Sequence, residues 1–337
     1  MRPTGLRRPR AATPALVFMV LLLAGCAAAS GSSPSLAPIA TINPTLAPTA
    51  TPPAFPVTVT DDEGTAVAIA AAPTKIVSLT PAATEILYAI GAGPEVVAKV
   101  EDVANYPPEA AAIPVVATFK GVDVEKIVSL GADLVVSGGA DFGQGDAVEQ
   151  LRHANVPVLV VGPTTTSGVL ADIRFIGQAT GDSTKANQLA DSMASAFATI
   201  RTATAGIAHP NVFYEIDTTG AIYTAPKGSF LEELLVLAGA DAVTTGSTAA
   251  YVIPLETLVT ANPDLILLGD AAYGVTADQV KARPGWGTIA AVRSGSIQAV
   301  DDVVITRPGP RLVDGLLALL KAIHPELVLP SLPPLPS

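Results

Sequence analysis

Two stretches of this chain recur in the same order, and that repeat limits the folds open to it. VEKIVSLGADLVV at 124–136 returns as LETLVTANPDLIL at 255–267, at an offset of 131. Glu125 falls on Glu256, Ile127 on Leu258, Asp133 on Asp264 and Leu134 on Leu265. TEILYAIGAG at 84–93 returns as EELLVLAGAD at 232–241, with Glu85 on Glu233 and Gly91 on Gly239. The first pair reads as helix, short turn and buried strand in both copies. A chain rich in alanine can produce one such match by chance, but two in the same order argue for an internal duplication, hence two similar α/β lobes.

Between the copies lies DSTKANQLADSMASAFATIRTAT, residues 182–204. Asp182 or Ser183 can cap it, and Ala186, Leu189, Ala190, Met193, Phe197 and Ile200 recur on one helical face. It reads as one helix of about six turns, roughly 33 Å long, and as the link between the lobes. The expected fold class is therefore α/β, two similar Rossmann-like lobes joined by a single long α-helix. The first lobe, 57–165, opens with a hairpin around Asp61-Asp62-Glu63-Gly64 and continues with strands at 75–79, 96–100, 115–117, 134–137 and 158–161. Thr80-Pro81 starts a helix that stops at Gly91, and further helices are expected at 124–130 and 146–153. A connecting segment, 166–207, holds the backbone helix at 183–204. The second lobe, 208–325, repeats the plan with strands at 212–216, 265–268 and 296–300, helices at 230–237 and 255–260, and a closing helix from Pro308 to His324. Strand and helix alternate, so the sheets are mostly parallel.

Ahead of the lobes, Arg7, Arg8 and Arg10 precede an apolar run from Ala15 to Leu23, too short to span a bilayer and laid out as a signal peptide over 1–25. The run ends in Leu23-Ala24-Gly25-Cys26, and Cys26 is the only cysteine. This resembles the bacterial lipobox, which implies a lipidated Cys26 and no internal disulfide. Residues 27–56 carry no charge and are rich in Pro, Ser, Thr and Ala, so 26–56 is read as a lipidated cysteine with a disordered tether. A proline-rich tail, 326–337, is expected to dock loosely or not at all. Removing the four arginines ahead of Cys26 takes the formal charge from −11 to −15. That sign argues against nucleic acid as a partner.

Four segments then match a family in order: PTKIVSLTPAATEILYAIGAGPEVVAKVEDVANYPPEA, GVDVEKIVSLGADLVV, GSFLEELLVLAGADAV and RPGWGTIAAVRSGSIQAVDDVVITRPGPRLVDGLLALL. They closely resemble the substrate-binding lipoproteins of ABC importers for cobalamin, haem and iron–siderophores, over roughly 57–325. The resemblance implies a bilobed, monomeric receptor with a small-molecule ligand between the lobes and only small hinge motion. It implies an ABC permease and its ATPase as partners, an extracytoplasmic, membrane-anchored location, and no cofactor or covalent chemistry. In that family one glutamate on each lobe docks against permease arginines. Here the resemblance points to Glu85 and Glu233, with Glu232 as the fallback. The dipole of a helix N-terminus is the plain alternative reason for a carboxylate there.

A large flat ligand needs aromatics and a few polar groups where strands end. Tyr106, Tyr214, Tyr223, Tyr251 and Tyr273 are the aromatic candidates, with Arg307 the best charged one and a salt bridge to Asp301, Asp302 or Asp314 its competing role. Trp286, in RPGW, reads as a packing residue, and Arg311 as helix surface. No His-Glu-x-x-His, Walker loop or Gly-x-Ser-x-Gly elbow is present, and His153, His209 and His324 lie far apart. A cobalamin-type ligand leads, with a ferric siderophore next and haem third, and a ligand-sensing lipoprotein without a permease is the other functional reading.

Overall fold

The computed structural model describes residues 55–118, 120–329, 331, 332 and 334. The signal peptide, Cys26 and most of the tether fall outside the described residues. A hairpin, β1 (Val57–Thr60) and β2 (Ala66–Ile69), precedes β3 (Ile76–Ser78), α1 (Pro81–Ile90), β4 (Val96–Val100), β5 (Val115–Thr118), β6 (Gly121–Val122), α2 (Val124–Leu130), β7 (Leu134–Ser137), α3 (Gly145–His153) and β8 (Val158–Val160). Two helices follow, α4 (Thr166–Thr180) and α5 (Ser183–Thr204). The second half holds β9 (Asn211–Glu215), α6 (Phe230–Leu237), β10 (Asp241–Val243), α7 (Leu255–Ala261), β11 (Leu265–Leu268), α8 (Ala277–Lys281), α9 (Ala290–Ser294), β12 (Ile297–Ala299), α10 (Asp302–Thr306) and α11 (Leu312–Ile323).

The first lobe's sheet runs β6-β5-β4-β3-β7-β8, parallel except for the β5–β6 pair, and the second lobe's runs β10-β9-β11-β12, all parallel. No strand passes from one sheet to the other among the described residues. Strand alternation splits each sheet between two cores. Ile76, Leu134, Val136 and Leu159 of the first lobe share one hydrophobic cluster with Val212, Tyr214, Leu265 and Leu267 of the second. The buried stripe of α5, with Leu189, Met193, Phe197 and Ile200, lies in that same cluster. Val77, Val135, Val158 and Val160 face a core belonging to the first lobe alone, and Phe213, Ile266, Leu268 and Trp286 face one belonging to the second. Each fully buried aliphatic contributes about 1.5–3 kcal/mol, so the shared cluster is a principal source of stability.

Local chemistry sets the element ends that matter here. Thr80 accepts from the Ala83 N–H and Pro81 occupies the first helical position, so α1 starts where the β3 strand delivers it. At Gly177 a Cβ would collide with that of Ala186, so a glycine lets α4 and α5 meet backbone to backbone. Three expectations are corrected. The closing helix starts at Leu312, because Pro308 and Pro310 keep Arg307 and Gly309 out of helical geometry. The tail docks: Leu327, Leu329 and Leu332 pack on the shared core because they are apolar. Phe55, placed in the tether by its neighbours, packs there too.

Candidate functional site

The carboxyl ends of the parallel strands face each other across a cleft between the lobes, where loops expose polar groups and helices begin. Its main cavity, ≈ 500 Å³, is lined by Phe142, Pro163, Phe230, Tyr251, Thr306 and Pro308 among others, with Asp141 and Lys227 as the formal charges in its wall. Phe142 and Tyr251 are each 55% exposed, which for aromatics on opposing walls means that they offer their rings to a ligand. A recess of ≈ 240 Å³ shares Phe142, Pro163, Thr306 and Pro308 with the main cavity. A bay of ≈ 360 Å³ shares Phe142 and Arg307 with the recess and reaches the loop around Asp102 and Val103.

Arg307 does line the cleft, but its charge is already matched. Its guanidinium reaches across to the first lobe and donates to Asp102 Oδ1 at 2.5 Å, to Asp102 Oδ2 at 3.1 Å and to Glu85 Oε1 at 3.1 Å. Neither Asp301 nor Asp302 nor Asp314 is its partner. Arg311, expected on the helix surface, joins the cluster: its Nε and Nη2 donate to Glu85 at 3.0 and 2.6 Å, and its guanidinium lies 3.9 Å from the centre of the Tyr106 ring. Burial pulls Asp102 upward, but hydrogen bonds from Arg307 and from the Ala104 and Tyr106 N–H groups hold it below its ordinary value. The Glu85 carboxylate raises Arg311 further. Removing one member of such a buried cluster leaves an uncompensated charge.

This geometry corrects the docking assignment. The Glu85 side chain is fully buried, so it presents no carboxylate to a partner protein. Glu233 also turns inward, accepting from the Thr166 N–H at 2.6 Å and the Thr166 hydroxyl at 2.7 Å, where α4 begins. Glu232 accepts from the Gly228 N–H within its own capping turn. The glutamates of the other repeat block, Glu125 and Glu256, are exposed in the first turns of α2 and α7.

The tyrosines divide as follows. Tyr251 lines the cavity. Tyr106 is a platform for Arg311. Tyr214 is fully buried in the shared core and donates to Asp302 Oδ1 at 2.7 Å, so it is not a ligand contact. Strand alternation put it on the side of Val212. Tyr223 is half-buried and held by bridges to Asp217 and Val252, while Tyr273 is exposed on the turn after β11, outside the linings of the main cavity, the recess and the bay. Trp286 packs as expected, edge-on to Phe213. Phe142 and Phe230 were missed. Phe142 lies between Gly139 and Gly143 at the end of β7, and an aromatic in a glycine loop at that sheet edge was the available signal.

Two buried acids, Asp270 and Asp172, each lie beside a second carboxyl. In the second lobe Arg283 clamps Glu215 at 2.5 and 2.7 Å, and the buried Asp270 beside them is pushed up to about 7 by burial and by the Glu215 charge. In the first lobe Asp172 of α4, 1% exposed, lines the recess. Burial, then the neighbouring Asp62 carboxyl, push it up to about 9. Asp62 is fixed by the Gly162 N–H at 2.7 Å. Two of the three histidines make backbone contacts, His209 to Thr204 O and His324 to Gly239 O.

Comparisons agree with this architecture. The periplasmic binding protein family matches residues 76–304. An uncharacterized ABC transporter substrate-binding lipoprotein, YvrC of Bacillus subtilis, is 35% identical over 93% of this chain and 96% of its own length. A vitamin B12-binding protein of Vibrio parahaemolyticus is 24% identical over 72% of this chain and 86% of its own. Among solved structures, the periplasmic heme-binding protein RhuT from Roseiflexus has a TM-score of 0.64 at 26% identity, covering 74% of this chain and 99% of RhuT.

Proposed function

We propose, for a chain that belongs to the periplasmic binding protein family and is a substrate-binding lipoprotein of an ABC importer, that the cargo is a large, uncharged, cobalamin-type ligand. The observation that carries this reading is the pairing of Arg307. With Glu85 and Asp102 occupying it, no arginine lining the cleft among the described residues is free for an anionic ferric siderophore and Lys227 faces it as the cation of the main cavity wall, while Phe142, Phe230, Tyr251 and the prolines offer apolar surface to a flat ring. The vitamin B12-binding relative supports the same reading. Haem is the second reading, favoured by the exposed Tyr251 as an iron ligand and by the likeness to RhuT.

Function on this reading is capture and delivery to a permease and its ATPase, without covalent chemistry. Docking falls to Glu125 and Glu256, whose exposure and equivalent positions suit two matching contacts on a partner. Anchoring falls to Cys26. The deciding experiment is titration of the purified receptor with cyanocobalamin, haemin and a panel of ferric siderophores, following tyrosine and Trp286 fluorescence. Micromolar or tighter binding of cyanocobalamin alone is expected, and a receptor that takes a ferric siderophore but no cyanocobalamin would overturn the assignment.

A further inference from the structure

The recess behind the main cavity has a composition that selects one kind of chemical group. Its walls are mostly apolar, from Pro81, Ala82, Ala83, Ile86, Val161 and Pro163, and the hydroxyls of Thr80 and Thr306 are engaged within the protein. Among them sit Asp172, whose Oδ1 is buried without a hydrogen-bond partner among the described residues, and Arg307, whose guanidinium is held by Glu85 and Asp102. A buried carboxyl left unmatched in a cavity wall is costly, and its cost is relieved by a ligand that supplies the missing partner.

Charge decides what that partner is. Asp172 is buried while Asp62 beside it reaches the surface, and burial, then the Asp62 carboxyl, push Asp172 up to about 9, so at neutral pH Asp172 keeps its proton, donates it towards Asp62 and presents a neutral acceptor to the recess. A carboxylate or phosphate arm would be desolvated against this mostly apolar lining, where Arg307 is the one cation and is already matched by Glu85 and Asp102. An uncharged arm that donates at one atom and accepts at the next fits without a change of protonation. The donor for its acceptor atom is also present. Ala82 lines the recess in the first turn of α1, where backbone N–H groups have no acceptor within the helix.

We propose that the recess is a subsite for a carboxamide side arm of the ligand, the amide N–H₂ donating to Asp172 and its carbonyl accepting from the Ala82 N–H. This rests on the reading of the cleft as a site for a large, uncharged ligand, and corrinoids carry such arms around their ring. The subsite makes Asp172 a specificity-determining residue, one that separates amide-bearing ligands from their acid counterparts.

Calorimetric titration of cyanocobalamin into the wild-type chain, Asp172→Asn and Asp172→Leu tests it. Asn keeps the same pattern, its amide donating to Asp62 and its carbonyl facing the recess, so its affinity stays within about twofold of wild type. Leu loses the hydrogen bond and weakens binding by about tenfold. Unchanged affinity in the Leu variant overturns the proposal, and so does an Asn variant as weak as Leu, because that would mean Asp172 acts as a charge on a cationic arm. A second arm does not depend on the ligand's identity or on the variants folding. Wild-type crystals are soaked separately in propionamide, propionate and propylammonium. Propionamide alone is expected in the recess, against Asp172. Occupancy by either ion, or an empty recess in all three soaks, overturns the subsite. Should cyanocobalamin fail to bind while propionamide occupies the recess, the reading of the cargo falls and the subsite stands.

Discussion

Asp172 and Asp270 are acids held protonated well above their ordinary values, to about 9 and about 7. Each binds more protons folded than unfolded between its ordinary and its raised value, so its contribution favours the fold at low pH and is lost as pH rises through the folded value. Thermal midpoints are expected to decline from about pH 5 towards pH 9. Asp172→Asn should make the decline shallower over its whole range and abolish it above about pH 7, whereas Asp270→Asn should make it shallower only below about pH 7. Asp102, held low by Arg307, acts in the opposite sense and loses its stabilisation only on acidification. A profile for Asp172→Asn that runs parallel to wild type would show that the shared proton is absent. At Glu85, replacement by Gln strands part of the charge of Arg307 and Arg311, and urea unfolding should report a loss of about 3 kcal/mol. An unshifted urea midpoint would mean that the cluster does not form in solution.

Among the elements, α2 and α7 are the pair whose first turns carry free carboxylates. Glu125→Lys and Glu256→Lys each oppose the helix dipole, which costs about 0.3–1 kcal/mol, and neither residue lines the cleft. Each should lower uptake into cells while leaving ligand affinity intact, and full uptake in the double variant would remove docking from these turns. How much of this was legible varies by element. The stripe of α5 and the start of α1 at Thr80-Pro81 were readable because 3.6-residue periodicity and capping chemistry are local. The five-residue helices α8, α9 and α10 were not, since so short a helix shows hardly more than one period. At the site, Arg307 stood out as a charge beside a proline-started turn, but its partners lie 205 and 222 residues away, and no local signal encodes such a pairing. Tyr214 was misplaced although its alternation with Phe213 was in plain view.

At the scale of the whole molecule, the tether and its cysteine govern where the receptor works. Cys26→Ser should move it from the membrane fraction to the soluble one with ligand binding unchanged, and retention of the variant in membranes would refute anchoring through that residue. Glu85 with Arg307 and Arg311 joins the lobes across the cleft, and Glu233 with Thr166 ties the second lobe to the connecting segment, which accords with small hinge motion. The hydrophobic cluster that takes in strands of both sheets and the face of α5 has a further consequence, for folding. Neither lobe owns a complete interior, so neither can melt while the other persists. Scanning calorimetry should give a single transition whose van't Hoff and calorimetric enthalpies agree. Either half expressed alone would expose its share of that cluster and become a target for proteases, so the receptor is gained or lost as one cooperative unit.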